Sequence, residues 1–254
     1  MRRLLARAAL ATALALSAAL ADVARAGDIA ILSGGAAKAG LADAIPLYEK
    51  QAGTKAAIEY LPMGPLMKRL GEGAAPDVVV LTEEVMTKAL ADGLVVAGTQ
   101  TEVGRVEIGV AVHESARLPD ISTPDAFKAA VVAAKSLVWI DPKTGTSGKH
   151  LAEVFARLGI LEEVTRKTTF GTGGYVPEPV GRGEIEMGLH QITEILPVKG
   201  LKLVGPLPAA LQKVTIYIGA VTTKAKDGDA ARRFLASLRN PEARAAFQRR
   251  GFSG

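Results

Sequence analysis

Asp28-Ile29-Ala30-Ile31-Leu32-Ser33-Gly34-Gly35-Ala36 is a short apolar run closed by a serine–glycine turn. Leu41, Ile45 and Tyr48 then recur at helical spacing until Gly53, so the segment reads as strand, glycine turn, helix. Pro46 falls inside that helix and is expected to kink it, because proline lacks the N–H that a helical turn uses. The same grammar continues outward. Ala56 to Leu61 is a second strand, and Pro65, read as a first helical position, opens a helix through Leu70. Asp77 to Leu81 is apolar on both faces, as a strand inside a parallel sheet is. Thr82 is placed to cap the next helix, with Glu83 and Glu84 in its positive first turn and Gly93 as its stop.

The second half repeats the pattern. Val106 to Val112 reads as a strand, Thr123-Pro124 starts a helix through Ala134, and Ser136 to Ile140 is another strand. The loop from Asp141 to Gly148 leads into a helix carrying Leu151, Val154, Phe155 and Leu158, stopped by Gly159. Glu184 to Leu189 and Val214 to Val221 follow as strands, and Asn240-Pro241 starts the last of two C-terminal helices. This alternation implies an α/β fold with parallel-rich sheets covered by helices. Val106 to Val112 and Val214 to Val221 are expected to be paired crossovers between two lobes. The first lobe is then discontinuous, residues 27–105 with 216–254, and the second is 106–215. Ligands in such architectures bind where glycine turns and helix starts face a crevice at the carboxyl ends of strands.

The chain has 254 residues, 48% of them apolar and 22% charged, which excludes a disordered composition. It has no cysteine. That excludes disulfide scaffolds, thiol catalysis, cysteine-held zinc or iron–sulfur clusters, and lipid attachment through an N-terminal cysteine. A charge of +5 and a pI of about 9.4 point toward acidic partners such as nucleic acid. The N-terminus accounts for most of this. Arg2, Arg3 and Arg7 precede an uncharged run, Ala8 to Ala21, too short to cross a bilayer, and Ala24-Arg25-Ala26 has the small-x-small form of a cleavage site. Residues 1–26 read as a signal peptide cut before Gly27. They hold four arginines against Asp22, a charge of +3, so the remaining 228 residues carry +2 and the case for nucleic acid falls away.

Three turns before helices could aim backbone N–H groups at an anion: Ser33 to Ala36, Pro62 to Pro65 and Thr144 to Gly148. A fourth glycine-rich stretch, Gly171 to Tyr175, carries more glycine than folding alone requires. Gly145-Thr146-Ser147-Gly148-Lys149 is not a Walker loop, because His150 replaces Ser or Thr and Lys143 stands where the upstream glycine belongs. Nor is it a hydrolase elbow, whose second glycine would fall at Lys149. His113, His150 and His190 have no metal-ligand spacing, so neither a metal nor a cofactor is expected.

With these elements in order, the mature chain resembles the periplasmic molybdate-binding proteins of ABC importers, within the type II solute-binding fold. The resemblance runs from Ile29 to Phe252. It rests on Ile31 to Ala36 leading to Tyr48-Glu-Lys-Gln-Ala-Gly53, Gly73-Ala-Ala-Pro-Asp77, Asp141-Pro142 before Ser147-Gly148, Arg157-Leu-Gly159 and Gly205-Pro-Leu-Pro208. The tail Phe234-Leu-Ala-Ser-Leu238, Pro241-Glu-Ala-Arg244 and Gly251-Phe252 completes it. The resemblance implies a monomeric periplasmic receptor that closes two lobes on a small anion and docks on a permease with a cytoplasmic ATPase. It implies an oxyanion held by neutral donors: two serine hydroxyls, backbone N–H groups and a tyrosine. The serines fall on Ala36 and on Met63-Gly64, the backbone donors on Ser147 and near Gly173, and the tyrosine on Gln191. Three side-chain donors are therefore replaced, and each missing donor costs about 1–3 kcal/mol of binding. The expected ligand widens to a molybdate-like oxyanion or a small carboxylate. The expected site is Gly35, Ala36, Met63, Gly64, Thr146, Ser147, Gly173, Tyr175 and Gln191, with Tyr217 as a further candidate. An alternative reading is an enzyme on the same fold acting on a small organic acid, with His190 and Glu194 as acid and base.

Overall fold

The computed structural model describes residues 28–253; the expected signal segment, residues 1–26, lies outside them. Two five-stranded sheets form two lobes. In the first lobe the strands are β1 (Ile29–Gly34), β2 (Ala56–Leu61), β3 (Val78–Thr82), β4 (Thr101–Val106) and β10 (Thr215–Val221), in the order β2-β1-β3-β10-β4. The second sheet holds β5 (Ile108–His113), β6 (Leu137–Ile140), β7 (Thr168–Gly171), β8 (Met187–Gln191) and β9 (Leu201–Pro206), in the order β7-β6-β8-β5-β9. Around the first sheet lie α1 (Lys38–Ala52), α2 (Met63–Gly71), α3 (Glu83–Ala91), α9 (Gly228–Ser237) and α10 (Pro241–Arg249). The second lobe carries α4 (Pro124–Ala133), α5 (Thr146–Arg157), α6 (Leu161–Arg166), α7 (Glu178–Gly181) and α8 (Ile192–Ile195).

The expected parallel-rich sheets are mixed. β1 pairs with β2 and β3, and β6 with β7 and β8, in parallel; β10 runs against β3 and β4, and β5 against β8 and β9. The cause lies in the crossovers. The segment read as one strand, Val106 to Val112, breaks at Glu107: β4 ends in one sheet and β5 begins in the other. The return segment between β9 and β10 closes the second passage. There the Gln212 side chain accepts the Ile108 N–H at 3.1 Å and donates to the Ile108 carbonyl at 2.9 Å, clasping the two passages together.

Each lobe has its own apolar core. Ile29, Leu41, Leu66, Val78 to Leu81, Phe234 and Phe247 fill the first. Phe127, Trp139, Leu151, Phe155 and Leu189 fill the second, with Trp139 edge-on to Phe155 and donating to Thr168 Oγ1 at 2.9 Å. β3 is buried along its whole length, as the apolar run beginning at Asp77 predicts.

Other local expectations fare differently. α1 runs unbroken through Pro46. Pro46 and Ala42 both lie on the exposed face, so the carbonyl left without its N–H partner is open to water. Helix α2 begins at Met63, which puts Pro65 in its third position, where a missing N–H still costs little because first-turn N–H groups have no helical acceptor. Thr82 occupies the N-cap of α3, yet its buried hydroxyl makes no cap bond. Thr123 does cap α4, accepting from Ala126 N–H at 3.1 Å. The strand expected from Glu184 starts at Met187, because the Glu184 and Ile185 N–H groups turn back onto the Pro179 carbonyl. Gly53 and Gly93 end α1 and α3 in the left-handed region, at φ of 65° and 68°.

Asp77 ties the first lobe together. Its buried carboxylate accepts the N–H groups of Ala30 at 2.8 Å, Lys226 at 2.6 Å and Asp227 at 3.3 Å, joining β1, β3 and the approach to α9. Asp77→Ala strands three donors and is expected to cost about 3–5 kcal/mol, lowering the melting temperature by at least about 6 °C. A melting temperature within about 2 °C of the parent would contradict this role.

Candidate functional site

A cavity of about 130 Å³ lies where the carboxyl ends of strands from both lobes face each other. The first lobe supplies Gly35 and Ala36 from the turn before α1, Lys38 at the start of α1, Tyr60 and Leu61 at the end of β2 with Pro62 and Met63 after it, and Tyr217 of β10. The second supplies Ile140, Gly145 to Ser147, Gly173, Gly174, His190, Gln191 and Glu194.

Local sequence sets each wall. A Cβ on Gly148 would fall 2.3 Å from the Ile140 carbonyl oxygen, so glycine there lets α5 begin directly against the end of β6. Thr146 and Ser147 thereby bring first-turn N–H groups, which have no helical acceptor, to the cavity. A Cβ on Gly35 would fall 2.8 Å from Glu194 Oε1, so the second lobe's carboxylate reaches the first lobe's helix start. A row of polar side chains follows. Ser147 Oγ lies 3.4 Å from His190 Nδ1, and His190 Nε2 lies 3.1 Å from Glu194 Oε2, with all three residues buried. The His190–Glu194 contact has ion-pair distance without hydrogen-bond alignment, and Nε2 has no hydrogen-bond partner. Gln191 Nε2 donates to Thr215 Oγ1 at 3.4 Å, while its buried Oε1 has no partner.

Seven of the nine residues expected from sequence meet at this cavity: Gly35, Ala36, Met63, Thr146, Ser147, Gly173 and Gln191. Gly64 stands outside it, because its N–H donates across the lobes to the Thr144 carbonyl at 3.2 Å. Tyr175 stands outside as well, its ring lying over Lys38 with the ammonium 4.7 Å from the ring centre. His190 and Glu194 from the enzyme reading, and Tyr217, line the wall. Sequence reasoning missed Lys38 and Tyr60. A lysine in the first turn of a helix opposes the helix dipole, and that local conflict was the available signal.

The profile of the family described as bacterial extracellular solute-binding protein matches residues 29–253. The chain belongs to this family. The solute-binding protein is 31% identical over 229 residues to an aconitate isomerase from Pseudomonas sp, covering 88% of this chain and 86% of that protein. It is 25% identical over 239 residues to the molybdate-binding protein ModA of Azotobacter vinelandii, covering 92% of each. Among solved structures, the periplasmic molybdate-binding protein of Azotobacter vinelandii superposes with a TM-score of 0.78 at 16% identity, over 89% of this chain and 99% of that one. That likeness carries the two-lobe fold expected from the sequence.

The phenols in and beside the cavity all titrate above the usual tyrosine range. Burial raises the Tyr217 hydroxyl, with the Glu194 charge adding to it, and burial likewise raises Tyr60 and Tyr175. Tyr48, the fourth tyrosine, is also raised by burial. A folded value above the unfolded one, about 10, means that this stabilisation is complete below pH 10 and is lost as pH rises through the folded values. Ultraviolet titration of the native solute-binding protein is therefore expected to show less than half its tyrosine ionised at pH 10, with thermal stability falling above it. Half-ionisation of the native protein at or below pH 10 would contradict this.

Proposed function

We propose that this protein captures a small organic carboxylate between its two lobes in the periplasm and delivers it to a membrane permease driven by a cytoplasmic ATPase. The observation that carries the reading is the cavity itself, where Lys38 from one lobe and the start of α5 from the other face a common space. Lobe closure completes the donor set that neither lobe supplies alone. The moving bodies are residues 27–105 with 216–254 and residues 106–215. Residues 1–26 direct export, and the mature protein works as a monomer. Gly35, Ala36, Met63, Thr146, Ser147, Gly173 and Gln191 contact the ligand, while Gly64 and Tyr175 hold the lobes around it.

One feature favours a carboxylate over molybdate. Ala36 and Met63 offer apolar surface where the resembled family places hydroxyls, which suits a carbon skeleton. The Lys38 ammonium and the Glu194 carboxyl both line the wall, so an incoming anion meets one group that attracts it and one that does not. Both curated relatives are named for an anion, one of them aconitate, an unsaturated tricarboxylate.

The row Ser147–His190–Glu194 favours a second reading, in which the bound acid is also isomerised. His190, reached through the Ser147 hydroxyl, takes a proton from an allylic carbon as that C–H bond breaks. The double bond shifts, and the same imidazolium returns the proton to the other end of the allyl unit, with Glu194 offsetting its transient charge. No oxidant or reductant enters.

In a thermal-shift panel of molybdate, tungstate, sulfate, phosphate, citrate and aconitate, a carboxylate at a hundred times its Kd is expected to stabilise by about 2.7 kcal/mol. Ser147→Ala and Gln191→Ala are expected to weaken that response without unfolding the protein. A molybdate response at micromolar concentration with silent carboxylates would overturn the carboxylate reading. For the second reading, proton NMR of bound aconitate in deuterium oxide is expected to show isomer interconversion that His190→Gln abolishes. Binding without interconversion or deuterium uptake would leave capture alone.

A further inference from the structure

Lys38 is the one lysine or arginine that lines the cavity among the described residues. It is the first residue of α1, a fifteen-residue helix with no acidic residue in its first turn, so its ammonium works against the helix dipole. Residues that break a local rule without a local gain concentrate at functional sites. Lys38 also has an uncommon setting. Its Nζ lies 4.7 Å from the ring centre of Tyr175 in the second lobe and 5.9 Å from that of Tyr60 in the first. The loop bearing Tyr175 is seated on the first lobe, since a Cβ on Gly173 would lie 3.0 Å from Pro62 Cγ. Aromatic faces attract a cation without neutralising it, so the lysine is held in place with its charge still available to an anion.

We propose that Lys38 reads the charge of the ligand. Its ammonium pairs with a carboxylate of the bound anion while Tyr60 and Tyr175 flank it from the two lobes, so closure is completed by an anion and not by a neutral molecule of the same outline. The electrostatics of the wall require such a group. The other charged side chains lining the cavity are Glu194 and, when protonated, His190; without Lys38 an incoming carboxylate faces Glu194 with at most its own imidazole partner to offset it. The preferred ligand is therefore a di- or tricarboxylate, one end on Lys38 and the other at the start of α5. This inference rests on the carboxylate reading above. Tyr175 acts as a positioning residue, through Lys38.

Calorimetric titration of trans-aconitate, and of crotonate as a monocarboxylate, into the parent protein and its Lys38→Met, Lys38→Gln and Lys38→Arg variants tests it. The expected result is affinity for trans-aconitate at least about tenfold weaker in the Met and Gln variants and retained within about threefold in the Arg variant. The dependence of Kd on salt concentration is expected to flatten in the Met and Gln variants, which a purely structural role would not produce. Unchanged melting temperatures establish that each variant is folded, and the two neutral replacements guard against failure of either. Affinity within about twofold of the parent in a folded Met or Gln variant would overturn the role of Lys38 and leave carboxylate capture standing. A parent protein that binds neither acid would overturn the carboxylate reading and this inference with it.

Discussion

A chain that passes between two separately packed cores through only two segments can change the angle between them without disturbing either. Here the first passage is a single residue, Glu107, between β4 and β5, and the second is the stretch between β9 and β10. Gln212 binds the two passages side by side by matching the backbone of Ile108 with its amide, as a neighbouring strand would. The strands on either side of these passages run against their neighbours, which is why each sheet is mixed. Everything at the cleft follows from this arrangement, because each wall can be rigid while the gap between them is adjustable.

The two lobes meet through a small number of contacts. Gly64 donates to Thr144 across the gap, Lys149 Nζ lies 3.6 Å from Glu84 Oε1 and Tyr175 covers Lys38, while Gly173 sits against Pro62 and Gly251 against Ile192 and Leu196. None of these amounts to a shared apolar core, so on the proposed reading a solute contributing a few charge-assisted hydrogen bonds is enough to decide between open and closed. The neutral phenol of Tyr217, the backbone donors of α5 and the Lys38 cation together favour an anion, whereas Glu194 penalises one.

Much of this was legible in the residues. β2 is found at Ala56–Leu61, where the sequence reading put a second strand, and the apolar run after Asp77 is buried on both faces as expected. The turns at Gly35 and Ser147 come together because glycine and small residues before a helix mark both a tight turn and an available N–H cluster. The break at Glu107 was not legible: Val106 to Val112 is continuously compatible with one strand, and only the competition of two sheets for its halves divides it. β7 and β9 are short or half-buried, so neither shows a strong apolar period. Lys38 was hidden for a different reason. A lysine between apolar helix positions ordinarily faces solvent, and its aromatic neighbours lie more than twenty residues away in the chain, Tyr175 in the other lobe.

If the two lobes close around a small carboxylate, the distance between two rigid bodies falls, and solution X-ray scattering measures it directly. With saturating trans-aconitate the radius of gyration is expected to fall relative to the ligand-free protein, while saturating crotonate produces a smaller change or none. A radius of gyration that stays the same at demonstrated saturation with the tricarboxylate would contradict the account.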